Sequence, residues 1–134
     1  MRFIRLLPAA LLAIGLSVLV TSASWAAPEA AKFSQAAFSL SQQAGKPILV
    51  EITAPWCPVC AKQRPILSQL LTEPAFDHLV VYHIDFDSQK DAVREMGATM
   101  QSTLIVFNGS HEEGRSTGVT DPGAIKALLD KAAG

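Results

Sequence analysis

Apolar and polar positions follow two patterns along the chain, and the change falls near residue 27. Residues 6–20 form a largely apolar run of 15 residues, interrupted by Pro8 and Gly15. Beyond residue 27, apolar residues recur with the spacings of helices and strands and are separated by turn residues. The patterns therefore predict a short hydrophobic leader followed by one folded domain.

The leader has the three parts of a secretory signal peptide. Arg2 and Arg5 form a basic start without acidic residues, and the apolar run follows. The segment then ends in Ala23-Ser24-Trp25-Ala26, with Ser24 and Ala26 at the small-residue positions of a cleavage site. A retained membrane anchor would need roughly 20 apolar residues to cross the bilayer, which this interrupted run does not reach. We therefore predict that residues 1–26 are a signal peptide cleaved after Ala26, that residues 27–134 are the mature domain, and that this domain is periplasmic.

The pattern beyond the leader predicts strands and helices in alternation. The β-branched run at 48–53 is typical of a strand buried on both faces, as in a parallel sheet. Asn108-Gly109 is a strong turn signal and predicts an antiparallel hairpin. The predicted helices are 28–43, 57–72, 88–96 and a last one that starts at Asp121, and the predicted strands are 48–53, 79–84, 103–107 and 113–117.

This alternation predicts an α/β fold: a central mixed β-sheet with helices on both faces, ending in a β-hairpin and a helix. A mature chain of this length is long enough for one hydrophobic core but marginal for two. The residues expected to face the core are, in the first helix, Phe33, Ala36, Ala37 and Leu40 and, in the last helix, Ile125, Leu128 and Leu129.

Charge excludes one class of partner. The full chain has 11 basic and 12 acidic residues and a net charge of -1. Removing the leader with its two arginines leaves nine basic against twelve acidic residues, a net charge of -3 for residues 27–134. A nucleic-acid-binding surface needs a concentration of positive charge, so no nucleic-acid partner is expected.

Both cysteines of the chain lie in one tetrapeptide, Cys57-Pro58-Val59-Cys60. A disulfide across two residues closes too small a loop to constrain the unfolded chain much, so a chemical role is favoured. The preceding strand leads directly into a helix, which places Cys57 at the helix N-terminus, where backbone N–H groups and the helix dipole favour a thiolate. Cys57 is therefore predicted to be the nucleophile. Cys60, on the same helical face, is predicted to be the resolving thiol that attacks a mixed disulfide at Cys57.

The same cysteines offer a second chemistry, metal binding. A zinc site takes about four ligands, and only His78, His83 and His111 are further nitrogen candidates. None of them has ligand spacing from the cysteine pair or from another histidine, so neither a metal nor a cofactor is predicted. Two thiolates with one histidine can hold Cu(I), so a copper-binding or redox-sensing module stays open as an alternative.

Residues 49–60, with Pro65 five residues further, resemble the active-site segment of the thioredoxin superfamily. A tryptophan directly before the CxxC motif and after a buried strand is the specific part of this resemblance. The order of strands and helices from residue 30 to 132 is similar along nearly the whole fold. The resemblance implies a thioredoxin-like thiol-disulfide oxidoreductase with a redox-active Cys57–Cys60 disulfide, in which Cys57 attacks and Cys60 resolves.

Three further positions take roles from the resemblance. Glu51 falls where thioredoxins keep a buried acid beneath the cysteines, and burial would raise its pKa and let it relay a proton to or from Cys60. The alternative is that Glu51 faces a sheet edge or solvent. His83 matches a position where many relatives have a lysine near that acid and is the candidate partner of Glu51. Trp56 is expected to shield the thiolate and to pack beside the substrate.

The sequence departs from the family pattern at Ser102. Relatives have a cis-proline before the strand that faces the active site, whereas this chain has Gln101-Ser102-Thr103. A cis bond before a non-proline residue costs roughly 3 to 4 kcal/mol, so the Gln101–Ser102 peptide is either trans with a reshaped loop or held in a strained cis form. The predicted substrate-contacting residues are Trp56, Pro58, Ser102 and Thr103.

The cysteine pair lacks the features of a strong oxidant, because Pro58 and Val59 add neither charge nor a donor side chain that would stabilise the thiolate. A periplasmic disulfide reductase is therefore expected, acting as a monomer on exported cysteine-containing proteins. In an oxidising compartment its dithiol would need recharging, which implies a membrane thiol electron donor. A disulfide oxidase or isomerase is the alternative within the same chemistry.

Overall fold

A five-stranded mixed sheet flanked by helices organises the protein in the computed structural model, which describes residues 27–134. In chain order the elements are β1 (Ala31–Lys32), α1 (Gln35–Gln43), β2 (Pro47–Thr53), α2 (Pro58–Leu70), a 3-10 turn (Pro74–Phe76), β3 (Val80–Asp85), α3 (Lys90–Glu95), β4 (Thr103–Asn108), β5 (His111–Thr117) and α4 (Pro122–Ala133). The strand order is β1-β3-β2-β4-β5; β1, β3 and β2 run parallel, and β4 and β5 add antiparallel pairs. The predicted α/β fold is confirmed.

Residues 1–26, for which a signal peptide is predicted, lie outside the described residues. Export of the protein and the extent of its mature domain therefore stay predictions. Within residues 27–134, no helix is both long and apolar enough to cross a membrane.

Two hydrophobic clusters pack on opposite faces of the sheet. Leu49 of β2 packs with residues of α2 and α4, whereas Ile48, Val50 and Ile52 pack with residues of α1 and α3. The central strand is thus buried on both faces, as its sequence predicts. Because side chains alternate along a strand, Glu51 lies on the face of Leu49, towards α2.

The first helix starts later than the sequence pattern predicts. The two residues of β1 pair in parallel with β3, and the Phe33 N–H donates to the His83 carbonyl at 2.9 Å. Ser34 then caps α1 by accepting a hydrogen bond from the Ala37 N–H at 3.2 Å. The predicted helix over 28–43 is therefore wrong in its first part, where the backbone is drawn into the sheet.

This later start changes which face of α1 is buried. Phe38 packs against Phe33 and Tyr82, with ring centroids 5.4 and 6.1 Å away, and the Ser41 hydroxyl bonds the Tyr82 hydroxyl at 2.8 Å. Leu40, which was predicted to face the core, is 67% exposed. Of the four predicted core residues, Phe33 is buried and Ala37 packs against the core, as predicted. The prediction is wrong for Ala36 and Leu40, which are exposed, because Phe33 precedes the cap and does not set the helical spacing.

The C-terminal hairpin and helix form as predicted. Gly109, at φ +57°, makes the turn between β4 and β5, and an added Cβ would lie 3.3 Å from the Gly45 Cα, so glycine suits both the backbone and the space. Asp121 caps α4, because its Oδ1 accepts a hydrogen bond from the Ala124 N–H at 2.7 Å. The side chains predicted to face inward from α4 are buried: Ile125, Leu128 and Leu129.

Candidate active site

The end of β2 and the start of α2 hold the two cysteines. β2 ends at Thr53, and the Cys57 N–H donates to the Ala54 carbonyl at 3.2 Å in the tight connection to α2. Cys57 is the N-cap residue of α2: its Sγ accepts a hydrogen bond from the Cys60 N–H at 3.1 Å, and Pro58, which has no N–H, follows as a first-turn residue. The Cys57 sulfur therefore lies at the positive end of the helix dipole, which favours a thiolate once the disulfide is reduced.

A disulfide joins Cys57 and Cys60, whose Cα atoms are 5.3 Å apart. Both residues are buried in a small apolar cluster with Ala54, Val59 and Phe86. Apolar neighbours do not stabilise a negative charge. Stabilisation of a thiolate at this site thus comes from the helix terminus and not from the side chains of the cluster.

Trp56 is held in place by the turn that follows β3. It is 59% exposed, and its Nε1 donates to Asp87 Oδ2 at 2.7 Å. Asp85 shapes this turn, because its Oδ1 accepts from the Ser88 hydroxyl and N–H, both at 2.7 Å, and from the Asp87 N–H at 3.1 Å. The bonds from Ser88 and Asp87 hold the pKa of the Asp85 carboxyl below its usual range. The sequence did not indicate Asp87 as the partner of Trp56, since only the sheet order brings the two together.

Glu51 and His83 lie side by side on β2 and β3. They are register partners in the parallel pair, and His83 Nε2 lies 3.1 Å from Glu51 Oε2. The Glu51 side chain is 14% exposed and the His83 side chain 45%. The hydrogen bond to Glu51 raises the pKa of His83, against the opposing effect of partial burial. The structure thus brings together the acid and the histidine that the sequence suggested as partners, and the acid faces neither a sheet edge nor open solvent.

A small cavity connects Glu51 with the second cysteine. It has a volume of about 130 Å³, and its lining includes Glu51, Cys60, Gln63, Arg64 and His83. A water molecule occupies about 30 Å³ in the liquid, so a polar cavity of this size has room for water. Glu51 and Cys60 thus line one small cavity that can hold water.

Ser102, in the loop before β4, has a left-handed backbone conformation. The Gln101–Ser102 peptide is trans, as are the other peptide bonds in the described part of the chain, and Ser102 has φ +58°. Of the two expected forms, the loop takes the trans, reshaped one. Thr103 pairs with Ile52 near the end of β2, which places Ser102 beside the connection to the cysteines. Ser102 and Thr103 are buried, and their hydroxyls donate to the Gln101 and Met100 carbonyls of this loop.

Gln63 is a site residue that the sequence did not reveal. It is 4% exposed, and its Nε2 donates to the Val119 carbonyl at 2.9 Å and to the Ser102 carbonyl at 3.2 Å. It lies one turn after Cys60 and one turn before Leu67, on the buried face of α2. A glutamine at the spacing of an otherwise apolar helical face is the signal that could have identified it.

The histidines considered as further metal ligands are dispersed. His83 pairs with Glu51, and the exposed His78 lies 3.3 Å from Asp77. Within residues 27–134, no three side chains of His, Cys, Asp or Glu are grouped to hold an ion. In this part of the chain, a Cu(I) ion at the cysteine pair would find two thiolates and no grouped third ligand of these types.

A cysteine pair at the N-terminus of the helix that follows a central strand, within a mixed sheet of this order, defines a thiol-disulfide oxidoreductase with a thioredoxin-like fold. The protein is an enzyme of this class. The Thioredoxin family model matches residues 29–131, and the chain belongs to the thioredoxin family.

Individual relatives agree with this assignment. Thioredoxin of Chlamydia trachomatis is 30% identical over 84 residues, which cover 63% of this chain and 80% of the chlamydial protein. The crystal structure of Trxlp from Edwardsiella tarda is similar with a TM-score of 0.71 and 41% identity, over 73% of this chain and 95% of that one. Thioredoxin of Malassezia sympodialis, at 22% identity and a TM-score of 0.68 over 77% of this chain and 92% of its own, shares the fold.

Proposed function

We propose that this protein is an exported disulfide reductase of the periplasm. The observation that carries the direction of the reaction is the apolar cluster of Ala54, Val59 and Phe86 around the disulfide, with a single backbone N–H donating to the Cys57 sulfur. Strong oxidants stabilise their reduced thiolate heavily, and such surroundings do not. The disulfide form is therefore favoured, which makes the reduced protein an electron donor.

In the proposed reaction the reduced protein attacks a substrate disulfide. The Cys57 thiolate forms a bond to one substrate sulfur, and the other substrate sulfur leaves as a thiolate that takes up a proton. The Cys60 thiolate then attacks Cys57 Sγ, and the remaining substrate sulfur leaves and is protonated. The substrate disulfide is reduced to two thiols, and the protein is oxidised to the Cys57–Cys60 disulfide.

Glu51 is the proposed proton acceptor of the second step. Cys60 must lose its proton before it can attack, and Glu51 lines the same cavity. His83 Nε2, 3.1 Å from Glu51 Oε2, holds the Glu51 carboxyl in position beside this cavity. His83 is partly exposed, so the proton has a route from the cavity to solvent.

Two surfaces beside the disulfide are proposed to contact the substrate. Trp56 and Pro58 are exposed on either side of Cys57 and can contact it through their side chains. Ser102 and Thr103, at the position of the family's cis-proline, can contact it through their backbone. Substrate recognition would then depend on the shape of these loops.

The compartment and the partners of the reaction are proposed from the leader. A signal peptide over residues 1–26 would deliver the domain to the periplasm, where exported cysteine-containing proteins are the substrates. Because that compartment oxidises dithiols, a membrane thiol electron donor would return the protein to its reduced form. The protein is proposed to act as a monomer.

Two measurements test the direction of the reaction. We expect a reduction potential near about -270 mV, as for thioredoxin, together with reduction of insulin disulfides in the presence of dithiothreitol; a potential near about -120 mV would indicate an oxidase instead. The variant Cys57→Ser is the inactive control. Tight binding of Cu(I) against a competing chelator, without insulin reduction, would replace the reductase by a copper-binding module.

A further inference from the structure

Gln63 connects three parts of the protein that meet beside the disulfide. It extends from α2, the helix that begins at the cysteines. Its Nε2 donates to the Ser102 carbonyl at 3.2 Å, in the loop before β4, and to the Val119 carbonyl at 2.9 Å, in the segment after β5. The two hydrogens of one side-chain amide thus serve two segments that lie far apart in sequence.

The Ser102 carbonyl is the centre of this arrangement. Besides the bond from Gln63, it accepts a hydrogen bond from the Gly118 N–H at 2.9 Å. In the described part of the chain, Ser102 is the one residue other than glycine with a positive φ. A left-handed conformation is unfavourable for a residue with a Cβ and persists only where the surrounding contacts fix it. Gln63 and Gly118 supply these contacts.

We propose that Gln63 is a positioning residue for protein substrates, which holds the Ser102 loop in its left-handed conformation so that the loop backbone is fixed beside the disulfide. This inference rests on the proposed exchange with protein disulfides. Gln63 does not touch the reacting sulfurs and acts through Ser102. A polypeptide that docks along the loop depends on this fixed backbone, whereas a small disulfide reaches Cys57 without it.

The variant Gln63→Leu separates substrate positioning from chemistry. We expect kcat/KM for insulin disulfides to fall about tenfold, mostly through a higher KM, because both hydrogen bonds to the loops are lost. The rate with bis(2-hydroxyethyl) disulfide should stay within about twofold, since this substrate makes no backbone contacts. Gln69→Leu, the same change on the exposed face of α2, is the matched control and should alter neither rate. An equal fall for both substrates, or no fall for insulin, would overturn the proposal.

A second measurement needs no activity. The Gly118 N–H bonds the Ser102 carbonyl, so its amide hydrogen exchange reports whether the loop is held. We expect exchange about tenfold faster in Gln63→Leu than in Gln69→Leu. Equal protection of the Gly118 amide in the two variants would overturn the role of Gln63, whatever the activity of the wild-type protein. A wild-type protein that reduced no disulfide would instead overturn the proposed function.

Gln63→Glu keeps the size of the side chain and covers the case in which Gln63→Leu does not fold. A protonated carboxyl can donate one hydrogen bond to the Ser102 or Val119 carbonyl, whereas a carboxylate can donate none. The insulin kcat/KM of this variant, divided by that of wild type at the same pH, should therefore rise as the pH falls from about 8 to about 5. A ratio that does not change with pH would contradict the proposal.

Discussion

The pairing of Glu51 with His83 gives the active site a residue that changes charge near neutral pH. The ordinary pKa of a histidine is 6.5, and the hydrogen bond to Glu51 raises that of His83. As the pH rises through the pKa of His83, the imidazole loses its positive charge. A lysine, which the resemblance to thioredoxins suggests for this position, would stay charged throughout that range.

The His83 pair is expected to stabilise the protein more at low pH than at high pH. The pKa of His83 is raised in the folded state, so the stabilisation from the pair is complete below pH 6.5. It is lost as the pH rises through the pKa that His83 has in the folded protein. The imidazole is 45% exposed and screened by solvent, so the stabilisation is small. At pH 6 we expect the free energy of unfolding of wild type to exceed that of His83→Gln by less than about 1 kcal/mol. Near about pH 9 we expect no measurable difference between the two proteins. Urea denaturation at both pH values tests this, with His78→Gln as the exposed control. A difference that grew with pH would contradict the pairing.

The left-handed serine carries backbone strain that a substitution can release. A non-glycine residue in this region costs of order 1 to 3 kcal/mol, and glycine avoids the cost at the expense of a more flexible unfolded chain. We therefore expect Ser102→Gly to raise the free energy of unfolding by up to about 1 kcal/mol, as measured by urea denaturation. Ser110→Gly, at an exposed turn position without a positive φ, is the control and should lower it. Equal destabilisation by both changes would show that Ser102 is not strained.

At the scale of whole elements, those with a regular local pattern of apolar residues could be predicted from the sequence, whereas those formed by contacts distant in sequence could not. Apolar residues recur regularly along β2, β4 and α4, so these elements could be predicted. Glu51 could also be singled out, because it is an acidic residue within the apolar pattern of a buried strand. β1 has two residues and exists only through its pairing with β3. The left-handed conformation of Ser102 and the bonds of Gln63 depend on residues 39 and 56 positions apart in sequence, which local spacing does not reveal.

The first turn of α2 is the element that we propose sets the balance between thiol and disulfide. Val59 lies in this turn and packs against the cysteine cluster. A protonated imidazole there would add positive charge to a helix terminus that already favours the thiolate. We expect Val59→His to raise the reduction potential by about 30 to 60 mV, where 30 mV corresponds to about 1.4 kcal/mol. Ala61→His, on the exposed side of the helix, is the control and should raise the potential less. An unchanged potential in Val59→His would contradict a reducing role for the apolar cluster.

At the scale of the whole molecule, the antiparallel β4 completes a site that parallel strands begin. The carboxyl ends of β2 and β3 lead to the cysteines and to the turn that holds Trp56. Because β4 runs in the opposite direction, its first residue, Thr103, lies beside the end of β2. Three connections therefore lie at the same end of the sheet as the disulfide, and we expect changes in them to alter the choice of substrate without altering the fold.

The proposed order of attack by the two cysteines predicts that partners can be trapped. Cys60→Ser keeps the proposed nucleophile, Cys57, and removes the proposed resolving thiol, so mixed disulfides at Cys57 should accumulate. The full chain is produced in cells, and the mixed disulfides in the periplasm are analysed by mass spectrometry. We expect the captured partners to be exported cysteine-containing proteins. We expect the chain of this protein in each mixed disulfide to begin at Ala27. Cys57→Ser is the matched control and should trap far less. Equal trapping by both variants would contradict the roles of the cysteines, and a trapped protein that kept residues 1–26 would contradict cleavage of the leader.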